Sequence, residues 1–197
     1  MKKILTCALF YLLSGSVSLA QTEKRLIERL DSVLIATQQS DFEGILDFTY
    51  PKLFTIVPRP QILKALKEAL TADEFTTTID SVKLSKIYPV FIIGKASYAK
   101  IKHSMLMMMK FNEPLDTADA EGGGFMLKMM GEQFGKKNVK FDKATNTIRV
   151  FMLSDMVAIK DEYAREWSFV NFNEDEGSAI LPLLFSKEVV GKLKMFK

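Results

Sequence analysis

One histidine, His103, stands in a stretch where every second side chain is apolar. Ala99, Ile101, His103, Met105, Met107, Met109 and Phe111 alternate with Tyr98, Lys100, Lys102, Ser104 and Lys110. Imidazole is the side chain best suited to move a proton near neutral pH, and thioethers are soft and polarisable. Three chemistries are therefore open to this stretch. His103 can act as a general base beside a bound ligand. Met105, Met107, Met108, Met109, Met126, Met129, Met130, Met152 and Met156 can line an adaptable apolar site. The same thioethers can bind Cu(I). Against all three stands ordinary core packing, because methionine also fills irregular apolar gaps and a core histidine needs only one hydrogen-bond partner. Core packing outweighs a guest site here, and a guest site outweighs copper. Trp167, the only tryptophan, is read as core before stacking platform.

Other chemistry fails on number or spacing. A serine hydrolase needs Ser, His and an acid, often with a Gly-x-Ser-x-Gly elbow, and no elbow is present. One histidine cannot make a zinc site without cysteine or carboxylate partners at suitable spacing. The run Gly131-Glu132-Gln133-Phe134-Gly135-Lys136-Lys137 has one residue too few between its glycines for a phosphate loop, and a lysine where Ser or Thr should hold magnesium. Asp116, Asp119 and Glu121 lack the order and the closing glutamate of a calcium loop, and read as a solvated acidic segment. No cofactor and no metal is expected.

Charge narrows the partners. The chain has 27 basic and 24 acidic side chains. The excess lies partly in Lys2 and Lys3, which open a basic start, an apolar run Ile4–Leu13 and a small-x-small site at Ser18-Leu19-Ala20. That is the pattern of a cleaved signal peptide, with residues 1–20 removed and Gln21 first in the mature chain. The run is shorter than the ~20 residues that span a bilayer, so no transmembrane segment is expected in the mature chain. Cys7, the single cysteine, lies inside that run, too early to be a lipid-modified first residue. The mature chain is then free of cysteine, nearly neutral, and without the basic excess of a nucleic-acid binder. Its expected place is periplasmic or extracellular, not as a lipoprotein.

The elements that must position these residues are helices followed by a sheet. Leu26, Ile27, Leu30, Val33, Leu34 and Thr37 make one stripe of a helix over Glu23–Gln39. Asp41 caps a second helix running to Tyr50, where Pro51 disturbs it. Gln61–Leu70 is a third. Strands are expected at Thr76–Lys86, Tyr88–Ile93, Ser97–Phe111, Asn138–Phe141, Thr147–Leu153, Met156–Lys160 and Glu166–Phe172, with a turn at Ser154-Asp155. Asn112–Gly124 reads as a mobile loop, because Gly122-Gly123-Gly124 has too much freedom for a helix. Phe125–Phe134 reads as a helix with Phe125, Met126, Met129, Met130 and Phe134 inward, and Ser186–Leu193 as a short last one. The connections between the later strands are too short for parallel crossovers. The sum is an α+β domain over 21–197, its N-terminal helices packed in a curved, mostly antiparallel, cone-like sheet.

That layout resembles the nuclear transport factor 2-like (cystatin-like) superfamily. The resemblance rests on Asp41–Leu53 in the helical part, and on Met156-Val157-Ala158-Ile159 with Trp167-Ser168-Phe169 in the sheet. It covers about residues 24–195. It implies a helix-lined cavity, with Asp47 and Tyr50 on the lining helix, and either an isomerase, cyclase or dehydratase or an exported binding module. The chain departs from the simplest members in its Gly-rich segment and fourth helix between strands. The expectation is an exported, non-enzymatic binding module. Its partner is an apolar small molecule or a protein, met by His103, Met105, Met107, Met109, Tyr50 and Trp167. The alternative is a small cone-fold enzyme using His103.

Overall fold

The computed structural model describes residues 21, 23–70, 72–119, 121–172 and 180–196. The proposed signal peptide lies outside the described residues. The chain is an α+β fold in which helices precede an open, antiparallel sheet. Helix α1 runs over 23–38. It is followed by α2 (Phe42–Phe48), a 3-10 segment Pro51–Thr55, and α3 (Arg59–Leu70). Asp41 caps α2 by accepting from the Gly44 amide at 3.0 Å. Proline at the first positions of the 3-10 segment fits a place where no amide donor is needed.

The strands are β1 (Phe75–Ile87), β2 (Phe91–Ile93), β3 (Ala96–Phe111), β4 (Val139–Asp142), β5 (Thr147–Lys160) and β6 (Ser168–Phe172). Their order is β1-β3-β5-β4, with β2 beside β3 and β6 beside β5. The spine is the long β3–β5 ribbon, paired without a register shift from Ser97↔Lys160 to Lys110↔Thr147. The turn expected at Ser154-Asp155 is therefore absent, and β5 is one strand. Two-residue hairpins favour positive φ at their central residues, and Ser-Asp supplies this poorly. Helices α4 (Gly123–Phe134), α5 (Leu181–Leu184) and α6 (Lys187–Lys194) complete the described chain.

Both faces of the spine are covered, by different elements. Ala99, Ile101, Met156 and Ala158 meet Leu26, Leu30, Val33 and Leu34 of α1, together with Trp167 and Phe169. Further along the same face, Met109, Phe111, Ile148 and Val150 meet Met126, Leu127, Met130 and Phe134 of α4. On the other face Val157, Ile159 and Phe172 meet Tyr50, Leu184, Phe185, Val189 and Leu193. Ile27, Phe125 and Met129 were expected inward but are exposed, and Leu127 takes the inward place on α4.

Two expectations change with this packing. The β3 face that carries Tyr98, Lys100, Lys102, Ser104 and Lys110 is polar by alternation but half covered, and Lys100 on it is only 2 % exposed. Its ammonium lies 2.9 Å from Asp155 Oδ2, donates to the Phe196 carbonyl at 2.9 Å, and sits over the Phe172 ring. The segment read as a mobile loop is pinned. Asn146, at φ +52°, donates to the carbonyls of Phe111 and Glu113 and accepts from the Leu115 amide. Gly123 and Gly124 begin α4, rather than preceding it, where the backbone of 116–119 passes very close.

Candidate functional site

Alternation in β3 puts His103 on the face shared by the α1 and α4 clusters, and it falls between them. Its neighbours follow from the register. His103 opposes Ser154 and Leu84, Met105 opposes Met152 and Val82, Met107 opposes Val150 and Ile79, and Ile101 opposes Met156. Directly opposite residues on one face have β-carbons about 5 Å apart, and diagonal ones remain within reach of long side chains. His103, Met105, Met107 and Met152 thus form a strip along the seam where α1 ends its cover and α4 begins.

The backbone is irregular on both sides of this strip. β1 shifts register between Leu84 and Lys86, a bulge beside the pair Leu84–His103. Bulges bend a strand and re-aim its side chains. On the other side, β4 pairs β5 as far as Val150 and β6 resumes at Asp155. Met152, Leu153 and Ser154 therefore have no described ladder partner on their outer side. At this edge Leu153 is 71 % exposed, on the β1 side Leu84 is 40 % exposed, and Met105, Met107 and Met152 are half-buried.

His103 itself is 6 % exposed, and its Nδ1 is buried with no hydrogen-bond partner among the described residues. Burial holds the imidazole below its ordinary pKa, offset in part by the negative charge of Asp155. Asp155 follows Ser154 in β5 and so projects to the opposite face, where Lys100 binds it. His103 is thus an imidazole held toward its neutral form in an apolar strip, with no carboxylate of the described residues bonded to it.

The other expected site residues go elsewhere. Tyr50 is buried on the opposite face, stacked on Phe185 and edge-on to Tyr163. Its hydroxyl donates to Asp161 Oδ2 at 2.5 Å, and its amide bonds to the Phe169 carbonyl. Burial, with the Asp161 hydrogen bond and charge, pushes the Tyr50 phenol well above its ordinary range. Tyr98 is pushed up too, by burial first and by Asp161 second. Asp161 also accepts from the amides of Tyr163 and Ala164, so it fastens the turn after β5 to the start of the 3-10 segment. Trp167 is fully buried beneath α1, and its carbonyl accepts from Arg29 Nε. Asp47 is exposed and paired with Arg59 at 2.8 Å. Met109 is buried in the α4 cluster. The structure therefore brings together His103, Met105, Met107 and Met109 of the expected set along one face of β3, with Met109 buried in the α4 cluster against which Met107 packs, and separates Tyr50 from them on the opposite face and Trp167 beneath α1.

Met152 and Ser154 complete the strip. Reading a turn at Ser154 hid their place opposite Met105 and His103. The signal available was the unbroken apolar and β-branched run from Thr147 to Ile159, longer than two short strands need. Among the described residues no group of three His, Cys, Asp or Glu side chains is placed to hold a metal, and no helix is long and apolar enough to cross a membrane. No protein-family model matches the chain, and neither curated proteins nor solved structures yield a match.

Proposed function

We propose that this chain is an exported, non-enzymatic binding module, a member of the nuclear transport factor 2-like superfamily, that receives an apolar small molecule or protein segment on the Met105–Met107–Met152 strip. One observation carries the reading. On the apolar face of the spine Met105, Met107 and Met152 stay half-buried between the cores under α1 and α4, Met107 and Met152 at the margin of the α4 core. Methionine side chains reshape around different guests at little cost. Among the described residues the single histidine there has no acidic partner of the kind that acid–base catalysis uses to orient and charge an imidazole. Export is inferred from the basic, apolar and small-x-small order of residues 1–20.

The binding reading is tested with 1-anilinonaphthalene-8-sulfonate as an apolar probe. Saturable binding by the wild type and its loss in Met107→Asp are expected, because an unpaired carboxylate on that face is strongly disfavoured. Unchanged binding in Met107→Asp overturns the location. Turnover of small carbonyl or hydroxy-acid substrates that vanishes in His103→Ala would replace the module with an enzyme. The export reading is checked by intact mass of protein secreted from its own host, which should begin at Gln21. Retention of residues 1–20 would mean an anchor.

A further inference from the structure

The strip contains a donor set that an apolar guest does not use. Three successive rows of the β3–β5 ribbon hold Met105↔Met152, His103↔Ser154 and Ile101↔Met156. All of these point to one face. His103 is two residues from Met105 on the same strand, and diagonal to both Met152 and Met156. The register therefore sets three methionines and one imidazole around the middle row, where His103 faces the small Ser154.

The nitrogen is the telling atom. His103 Nδ1 is buried and has no hydrogen-bond partner among the described residues. Buried polar atoms are nearly always satisfied, and those that are not call for an explanation such as an ion. Orientation of the ring and choice of tautomer follow from whatever the other nitrogen meets. Among the described residues no carboxylate is held against the seam to favour a divalent ion. Asp155, the carboxylate whose charge His103 feels, is on the far face and bound to Lys100. A doubly charged cation held only by neutral donors in an apolar site would be uncompensated. A soft, singly charged cation suits a set of neutral sulfurs and one nitrogen, and thioethers select Cu(I) among the biological metals.

We propose that His103 Nδ1 and the sulfurs of Met105 and Met152 form a Cu(I) site, with the buried Met156 sulfur as a fourth donor. Access is through the outer edge of β5 at Met152–Ser154, where no described strand residue pairs with it. The site shares Met105 and Met152 with the apolar contact strip but uses their sulfurs rather than their apolar surface. Leucine keeps the volume and apolarity of methionine but has no sulfur. Methionine-to-leucine variants therefore separate the two.

The test is anaerobic titration of the purified chain with Cu(I), in competition with bicinchoninate. It is paired with Ag(I) titration followed by the methionine ε-methyl signals in NMR. One Cu(I) per chain is expected. The Met105→Leu and Met152→Leu variants should each bind at least about tenfold more weakly, and His103→Leu more weakly still. Met129→Leu, at an exposed position on α4, should bind as the wild type does. The methyls of Met105 and Met152 should shift with Ag(I) while that of Met129 stays still. Equal Cu(I) affinity in wild type and the Met105→Leu, Met152→Leu double variant overturns the site, as do shifts confined to α4 methionines. Because the double variant keeps an apolar strip, retained probe binding with lost Cu(I) binding supports the metal site. Probe binding without Cu(I) binding by the wild type overturns the metal site alone.

Discussion

Protonating His103 inside the fold is costly, and the pH dependence of stability should show it. Burial lowers its folded pKa, so the unfolded chain binds the proton more readily than the folded one. The contribution is full above the ordinary imidazole pKa of about 6.5. It is lost as pH falls from there through the lowered folded value. The urea midpoint should therefore fall between pH 7 and pH 5, and that fall should shrink in His103→Leu. An unchanged pH dependence in the variant would show that the imidazole titrates in water. Asp155 works against this shift, and its own substitution should enlarge the fall. At this scale the alternation around His103 was legible, since period two alone assigns faces. The separation of Tyr50 from His103 was not. It depends on a parallel bridge between Thr49 and Phe169, a contact between segments more than a hundred residues apart, on which local pattern is silent.

Helix α4 begins where a glycine run argued for a loop, and crowding is the reason. A β-carbon on Gly123 would lie 2.4 Å from the Asp116 carbonyl oxygen and 2.8 Å from Leu115 Cγ. One on Gly124 would lie 2.7 Å from the carbonyl oxygens of Thr117 and Asp119. The glycines serve close approach, and flexibility is a poor account of them. Gly123→Ala should then destabilise the fold by ~1–3 kcal/mol, the usual cost of forcing atoms into a filled place. Gly131, later in the same helix, meets nothing nearer than Lys136 Cγ at 3.4 Å. Gly131→Ala should stabilise by ~0.5–1 kcal/mol through helix propensity. Chemical denaturation of both variants checks the pair, and equal effects would remove the crowding argument. Helices α1, α2 and α6 were readable from stripe and cap, because those signals are local. The continuity of β5 was not. Strand length is decided by the neighbour, and β3 supplies partners straight through Ser154 and Asp155.

Across the whole molecule, the least expected feature is a lysine at the heart of the sheet. Lys100 alternated correctly with its apolar neighbours, yet its face is closed by residues from the far end of the chain. Removing one member of a buried ion pair costs roughly 3–5 kcal/mol, and replacing both with apolar groups is often close to neutral. Asp155 keeps 20 % of its side chain exposed, so the lower end applies. Lys100→Met should cost about 3 kcal/mol, and Lys100→Met with Asp155→Leu should recover most of it. A double variant no better than the single would mean that the pair does not act as a unit. The Phe196 carbonyl that Lys100 also binds is 96 residues downstream, and the Phe196 ring packs on Tyr88 and Phe91. Such closure has a consequence for biosynthesis. While the chain is still being made, the β1–β3–β5 ribbon can pair, but its central cation cannot reach that acceptor until residue 196 has emerged. A nascent chain stalled after β6 should carry an unfinished, aggregation-prone sheet face, exposed to chaperones and proteases until the last helix docks.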